Sequence, residues 1–586
     1  MSSSSPFHSH LKTNYVPSDV EIPEIRAFIS TRQAVLDKID QQIKDLELQP
    51  EDLEGRRRAE LEFIGDHLAL LSPIKRVPDD ILSSILVTAV EERTRSFQGL
   101  VSFRKAMAFS HVCTRWREVS IGTKPLWRYL DIRIPKYPPY KDDWRVQLGR
   151  LESMVRTSIA RSAGYPLCIE VEGCIDRYAV STWNSPMEKE CMREELRYLE
   201  GLVEILLESK ARWREVLFCF TLPFVDTPLR QLILVQPSKN AILQNVELDF
   251  HLVLSHSEQE MPQESLELWQ TDWMHGGPSI LMHDSIRKLN LNWVMQDITT
   301  MAVNWPSLTH LAFRGYHDIV ASSLHFGPNE ALRLLKLCPN LVTCSIPMEP
   351  TPPIVATEPI TVAFLEELSI TPHSYDIPTN FASLVVLPSL RKLAINEGSG
   401  PDCIPHDHGE SGIAHFLERF GNQLTDVKLH TPTFTPAGLD HCLRHLTNVV
   451  RLELHSNPPC GYYYNLSDAA TLTPQMFANI TPGHESHSGG NLVEVPVLPK
   501  LETVAFRCEY PYHCDDPVLD ALIDFVAARR RDGREPGIAR LRKAEFVVSV
   551  PMLFRDPLQL LRTKDVNLDG FSFEGYEMYL DEGIGM

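Results

Sequence analysis

His406, Asp407, His408 and His415 form the densest group of metal-competent side chains in the sequence, and imidazoles beside a carboxylate are a ligand set that zinc accepts. They stand among Gly398, Gly400, Pro401, Pro405 and Gly409, so the stretch reads as a loop insertion and no metal or cofactor is expected there. The twelve cysteines include no CxxC pair. Cys168/Cys174, Cys338/Cys344 and Cys508/Cys514 are the closest couples, and none has a histidine at zinc-finger spacing. Nucleophile and phosphate chemistry lack their motifs as well: there is no GxSxG elbow, Walker-type glycine loop, GxGxxG or HExxH. The chain is expected to be non-catalytic, unless a pocket of converging titratable groups lies in the insertions at 401–415 or 456–498.

Composition narrows the partners. Asp and Glu outnumber Lys and Arg by 77 to 57, a formal charge of −20 over 586 residues, which argues against a nucleic-acid backbone because that needs clustered cations. Arg56-Arg57-Arg58 and Arg529-Arg530-Arg531 are short and read as solvated helix faces. The 43% apolar content suits a globular protein with a large core. The N-terminus lacks a basic segment followed by an apolar one, and no stretch approaches the roughly 18 apolar residues of a membrane span. Neither membrane nor secretion is expected, and unpaired thiols point to the cytoplasm, the nucleus or both. Without a secretory route the sequons at Asn465 and Asn479 carry no weight.

The elements that would position any site follow from periodicity. Residues 1–22 show none and are expected to be a mobile tail. Over 23–70, Ile25, Ile29, Leu36, Ile39, Ile43 and Leu46 recur at steps of three and four; after Gln49-Pro50, the residues Leu61, Ile64, Leu68 and Leu71 resume the seam. An antiparallel helical hairpin packed seam to seam is the favoured reading, with an intermolecular coiled coil as the alternative. Pro73 and Pro78 bracket an extended stretch, Asp79 is placed to cap a helix carrying Ile81, Leu82, Ile85 and Leu86, and a second amphipathic run covers roughly 101–119 before Pro125-Leu126-Trp127.

Beyond residue 131 the chain becomes repetitive. An LxxLxL-like frame starts at Trp213, Leu243, Ile286, Leu308, Leu341, Leu365, Leu390, Leu424, Val449, Leu501 and Leu541, with apolar or small residues three and five positions later each time. A helical-looking segment and a Pro or Asn turn precede some frames, as at 331–340, so the unit is one strand plus one helix. Such a unit cannot bury its apolar face alone, and stacking buries it. A doubly wound α/β domain is the competing architecture, but eleven frames favour the array.

The order Leu71-Ser72-Pro73-Ile74-Lys75-Arg76-Val77-Pro78-Asp79-Asp80-Ile81-Leu82, then Phe109-Ser110-His111-Val112-Cys113-Thr114-Arg115-Trp116-Arg117, then Leu126-Trp127 resembles the F-box, a three-helix module. The hairpin ahead of it, the strand-like run Pro166-Leu167-Cys168-Ile169-Glu170-Val171-Glu172 and the Arg212-Trp213 opening of the first frame are similar to the large F-box family of mushroom-forming fungi. Val77 stands where that family usually has Leu, and about two dozen residues separate Ile85 from Phe109. The resemblance implies a three-helix F-box over 71–130 that binds the Skp adaptor and, through it, cullin and RING subunits of a ubiquitin ligase. The residues expected to make the contact are Leu71, Ile74, Pro78, Ile81, Leu82, Ile85, Val112, Cys113, Trp116 and Trp127, because so small a module has more apolar side chains than it can bury.

The expected architecture is therefore α/β: a helical hairpin, a three-helix F-box, and over 131–586 an irregular leucine-rich-repeat-like solenoid with a curved parallel sheet and loop insertions. Alternation along each strand would turn the intervening residues to the concave face. Asn290, His310, Arg314, Lys428, His430, Arg451, Glu453, His455 and Arg507 are the candidates there to hold a protein substrate, and the locally basic stretch from Lys428 to His455 would suit an acidic or phosphorylated segment. The expected function is substrate receptor of a Skp-cullin-F-box ligase, with a scaffold that does not promote ubiquitination as the alternative.

Overall fold

A computed structural model describes residues 5–11, 13, 15–45, 50–91, 101–135, 141–173, 196–221, 228–236, 242–251, 279–291, 301–313, 326–348, 354–355, 358–372, 376–397, 407, 409, 411–456, 472–482, 497–508, 516–531, 537–548, 557–564 and 566–577. It divides into two compact units, residues 1–174 with 198–215, and residues 175–197 with 216–586.

The first unit begins with the hairpin, α1 (Glu21–Asp45) against α2 (Pro50–Leu70). Ile25, Leu36 and Ile39 are buried along α1, and Ile64, His67 and Leu70 along α2. Leu61 and Leu68 are exposed, so the α2 stripe lies to one side of the expected seam. The described residues 5–11, 13 and 15–19 depart from the expected mobile tail. Phe7 is buried with Ile25 and Leu70, and Ser5 Oγ lies 2.7 Å from His67 Nε2. Ser18 and Glu21 make a capping arrangement, Ser18 N donating to Glu21 Oε2 at 2.8 Å, and Tyr15 Oη adds a bond to the same carboxylate. Together these bonds hold the Glu21 carboxyl at about 2, well below the usual carboxylate range, with the Ser18 and Tyr15 side chains contributing most. One buried aromatic and one satisfied capping carboxylate order a segment that has no periodicity.

Three helices follow: α3 (Asp79–Glu91), α4 (Val101–Ser110) and α5 (Thr114–Gly122), with 3-10 turns at Pro73–Arg76 and Lys124–Trp127. The chain then runs directly into strand β1 (Tyr129–Ile134), helix α6 (Lys141–Arg161) and strand β2 (Leu167–Gly173). β1 and β2 are parallel, with Tyr129 opposite Cys168 and Ile132 opposite Val171. β1 repeats the frame seen later, with Trp127, Leu130 and Ile132 all buried at positions one, four and six. Helix α7 (Glu200–Glu208) and the start of β3 (Trp213–Thr221) complete this unit.

The second unit is a long parallel sheet with helices between many of its strands, such as α8 (Pro328–Leu337) ahead of β7. Beyond β3 the frames fall on β4 (Asn245–His251), β5 (Lys288–Leu291), β6 (His310–Phe313), β7 (Thr343–Met348), β9 (Glu367–Pro372), β11 (Lys392–Ile395), β12 (Asp426–His430), β13 (Arg451–His455), β14 (Thr503–Cys508) and β15 (Lys543–Val548). β8 (Ile360–Thr361) and β10 (Val385–Val386) pair separately. Every apolar residue of the eleven frames is buried, from Trp213, Val216 and Phe218 to Leu541, Ala544 and Phe546. A last strand, β16 (Ser572–Glu577), pairs Ser572 with Lys543. Gly570, two residues ahead of it, and Gly575 within it stand where the frame needs apolar side chains, so the pattern passes over it.

A second repeating feature stands one residue ahead of the frame. Ser285 Oγ donates to Leu243 O (2.6 Å), Ser307 Oγ to Ile286 O (2.9 Å), Asn340 Nδ2 to Pro306 O (2.9 Å), Ser389 Oγ to Ala363 O (2.7 Å) and Asn448 Nδ2 to Asn422 O (2.5 Å). Each satisfies a carbonyl of the preceding repeat where the chain turns into the strand, and so ties neighbours that share little local sequence.

Candidate docking surface and strand face

In the three-helix module, Leu82, Leu86 and Val90 repeat every four residues on α3 and pack with Ala106, Leu126 and Trp127 in one core. Around it lie the half-buried Ile74, Val77, Phe109, Trp116 and Val119. This core uses one stripe of α3. The adjacent stripe is apolar as well, and it is open: Ile81 is 50% and Ile85 43% exposed, and Val112 in the turn just before α5 is 59% exposed. Pro78 is exposed, while Leu71, Ile74, Cys113 and Trp116 are partly buried.

Arg115 sets the relative position of these groups. Its guanidinium lies 2.7 Å from Asp79 Oδ1 at the first turn of α3 and donates to Lys75 O (2.7 Å) and to Val77 O. The loop between the prolines and the first turns of α3 and α5 are thereby drawn to one cation, which brings the elements bearing Ile81 and Val112 together. Cys113 Sγ accepts from Trp116 N at 3.5 Å as an N-cap, and Arg117 Nε donates to Ser110 O at 2.9 Å, closing the turn between α4 and α5. Thr123 Oγ1 reaches Ser83 Oγ at 2.9 Å.

Two expected contact residues are corrected. Leu82 is fully buried, because it and not Ile81 faces the helices behind α3. Trp127 is buried too: its Nε1 donates to Ser120 O at 2.9 Å, and the Arg161 guanidinium lies 4.5 Å from its ring. It occupies the first frame position of β1 and serves as the hinge of packing between module and strand. Arg115 stands inside the motif, but spacing gives no sign of its role, which depends on carbonyls nearly forty residues earlier in the chain. The long spacer after Ile85 lies outside the described residues over 92–100.

On the strand face, register brings most candidates into rows. Lys428 stands opposite Glu453, and His430, His455 and Arg507 are consecutive neighbours. Glu453 Oε1 is 2.5 Å from His455 Nε2 and 3.1 Å from Arg507 Nε, and Arg507 reaches Glu545 at 3.3 Å. The His455 hydrogen bond, with Lys428 and Arg507 nearby, holds the Glu453 carboxyl at about 2. Arg451 lies 4.0 Å from Asp426, whose carboxyl is pushed up by burial, and Lys392 lies 3.6 Å from Glu367. The face is thus a lattice of paired charges more than a basic patch. Asn290 Nδ2 donates to Glu247, and His310 Nδ1 lies 2.9 Å from Thr309 Oγ1; burial and neighbouring Lys288 lower the His310 pKa.

His430 is corrected as well. It is 1% exposed, because the chain turns immediately into the buried segment Thr431–Thr433 and folds over the strand end. Arg314, His406 and His408 lie outside the described residues, while His415 sits within helix α9 (Gly412–Phe420). Sequence reasoning also passed over Glu418, His441 and His445. The signal was His441-x-x-x-His445, one turn apart on a helix, with its carboxylate partner on another repeat.

Among the described thiols, Cys113, Cys338, Cys344 and Cys442 are free, and burial pushes those of Cys338 and Cys442 up to about 12. No described helix is long and apolar enough to cross a membrane. No protein-family model and no curated protein matches the chain.

Proposed function

We propose that this chain is an F-box protein: the module over 71–130 docks onto a Skp adaptor, and through it onto cullin and RING subunits, while a curved leucine-rich-repeat-like solenoid holds a protein substrate for ubiquitination. The observation that carries this reading is the second apolar stripe. Ile81, Ile85 and Val112 are exposed on a module whose core is complete without them, and adjoining exposed apolar side chains of this kind mark protein interfaces. Ile81, Ile85, Val112 and Pro78 make the adaptor contact, flanked by Leu71, Ile74, Cys113 and Trp116. Leu82 and Trp127 support them from behind.

On the strand face, Lys428, Arg451, Glu453, His455 and Arg507 offer mixed charge to a polar substrate segment, with Asn290 and His310 on an earlier part of the sheet. The reading needs no cofactor, and the free thiols of Cys113, Cys338, Cys344 and Cys442 support a reducing compartment, the cytoplasm or the nucleus. Co-purification from cells tests it. Wild type should bring down Skp and cullin, and Ile81→Asp with Ile85→Asp should lose both while the melting curve is retained. Retained Skp binding in that variant would overturn the docking assignment. Binding of Skp without any protein stabilised on deletion would instead support a scaffold that does not promote ubiquitination.

A further inference from the structure

Helices α9 and α10 (Pro436–Arg444) precede β12 and β13 and pack side by side on neighbouring repeats. Glu418 of α9 faces His441 of α10 and His445 just beyond its end. His441 Nε2 lies 2.8 Å from Glu418 Oε1, and His445 Nε2 lies 3.3 Å from His441 Nε2. One ligand atom from each residue lies within 4.8 Å of the other two. We propose that Glu418, His441 and His445 bind one divalent transition metal of the zinc class, clasping two adjacent repeats of the array.

Ligand chemistry and spacing both point there. Two imidazoles and a carboxylate with a remaining position for water are a zinc ligand set. In a tetrahedral site with metal–nitrogen bonds of about 2.0–2.1 Å, two nitrogens stand about 3.3 Å apart. The imidazole nitrogens already have this separation; Glu418 Oε1, 2.8 Å from His441 Nε2 and within 4.8 Å of His445, would shift to complete the set. Protons alone satisfy the cluster poorly. His441 Nε2 carries at most one hydrogen, and if that hydrogen goes to Glu418 no lone pair is left to accept from His445. A cation at the point where the three atoms converge would be shared by all of them.

The ligands are also held before any metal arrives. Asp376 fixes the start of α9, its Oδ2 accepting from Gly412 N at 3.0 Å and its Oδ1 from Ile413 N at 3.1 Å. Thr435 Oγ1 caps α10 by accepting from Gly438 N at 3.1 Å. The end of α9 approaches His445 so closely that a methyl group on Gly421 would lie 2.9 Å from His445 O. The side chains of Glu418 and His441 are about one-third exposed, which leaves the metal a path from solvent.

Titration of the full chain with zinc, followed by calorimetry, and with cobalt, followed by absorption, tests the proposal. Wild type should bind one equivalent that is lost, or weakened at least tenfold, in His445→Gln and in Glu418→Gln. Zinc should raise the melting temperature of wild type and not that of His441→Ala/His445→Ala. Circular dichroism of the variants without metal keeps a folding defect separate from lost binding. Equal affinity in wild type and all variants would overturn the site and place the metal on other histidines, and no saturable binding to wild type would overturn it outright. Adaptor co-purification is a separate readout, so this proposal and the docking assignment fail independently.

Discussion

Arg115 holds Asp79: the guanidinium of α5 lies 2.7 Å from the carboxylate at the first turn of α3, and its remaining donors take the carbonyls of Lys75 and Val77. The exposed ion pair alone is worth little. The two carbonyls matter more, because they belong to the proline-bracketed loop and the Arg115 side chain is mostly shielded from water. Arg115→Ala should therefore destabilise the module by about 1–3 kcal/mol, and Arg115→Lys should recover little, since an ammonium cannot span three acceptors in a plane. Urea denaturation followed by far-ultraviolet dichroism measures both.

Ile81 and Leu82 are neighbours in sequence with opposite fates. Leu82→Ala removes a fully buried side chain and should cost about 2–5 kcal/mol, with adaptor binding falling only as the folded fraction falls. Ile81→Ala should leave the melting temperature nearly unchanged and weaken adaptor binding by about 1–2 kcal/mol in a titration of the two purified proteins. The reverse pattern would assign the interface to the wrong stripe of α3.

Glu453 gives the strand face a pH dependence of definite sign. Its carboxyl is held at about 2, below the ordinary value of 4.5, so its contribution is complete above about pH 5 and is lost as pH falls from 4.5 toward 2. Glu453→Gln should cost about 2 kcal/mol near neutrality. Melting curves of the two proteins should converge as the solution is acidified, and a difference that stays constant to pH 3 would show that the carboxylate charge is not what stabilises the lattice.

Gly412 begins α9 where a methyl group would lie 2.0 Å from Ile377 O. Backbone cannot yield cheaply there, because Asp376 grips the same turn with bonds from Gly412 N and Ile413 N. Gly412→Ala should lower stability by about 1–3 kcal/mol and speed amide exchange in α9 ahead of the rest of the sheet, as hydrogen exchange with mass spectrometry would show.

Most of the strand pattern was legible in the sequence, for a local reason. A strand packed on one face buries alternate residues, so LxxLxL at Leu424 or Leu501 reports its own environment whatever lies far away. β16 is silent because Gly570 and Gly575 carry no side chains to report, and β1 because its first frame residue, Trp127, also closes the helical module. The order of the described residues between Ser5 and Asp19 has another source: Phe7 reaches Ile25 and Leu70, and Ser5 reaches His67 sixty-two residues away.

Residue type and spacing, then, determined that α3 has a broad apolar surface, that the strands after it stack in parallel, and that Lys428, Glu453, His455 and Arg507 lie on one face of the sheet. Only the tertiary structure decided which α3 stripe is covered, since Leu82 and Ile81 are equally apolar and differ only in what lies behind each. It also decided that His430 is sealed under the turn that follows it, and that Glu418 meets His441 and His445 across two repeats. Helical and strand periodicity specify a face; which face is buried, and which distant side chains converge on it, is set by packing between segments whose separation along the chain carries no local signal.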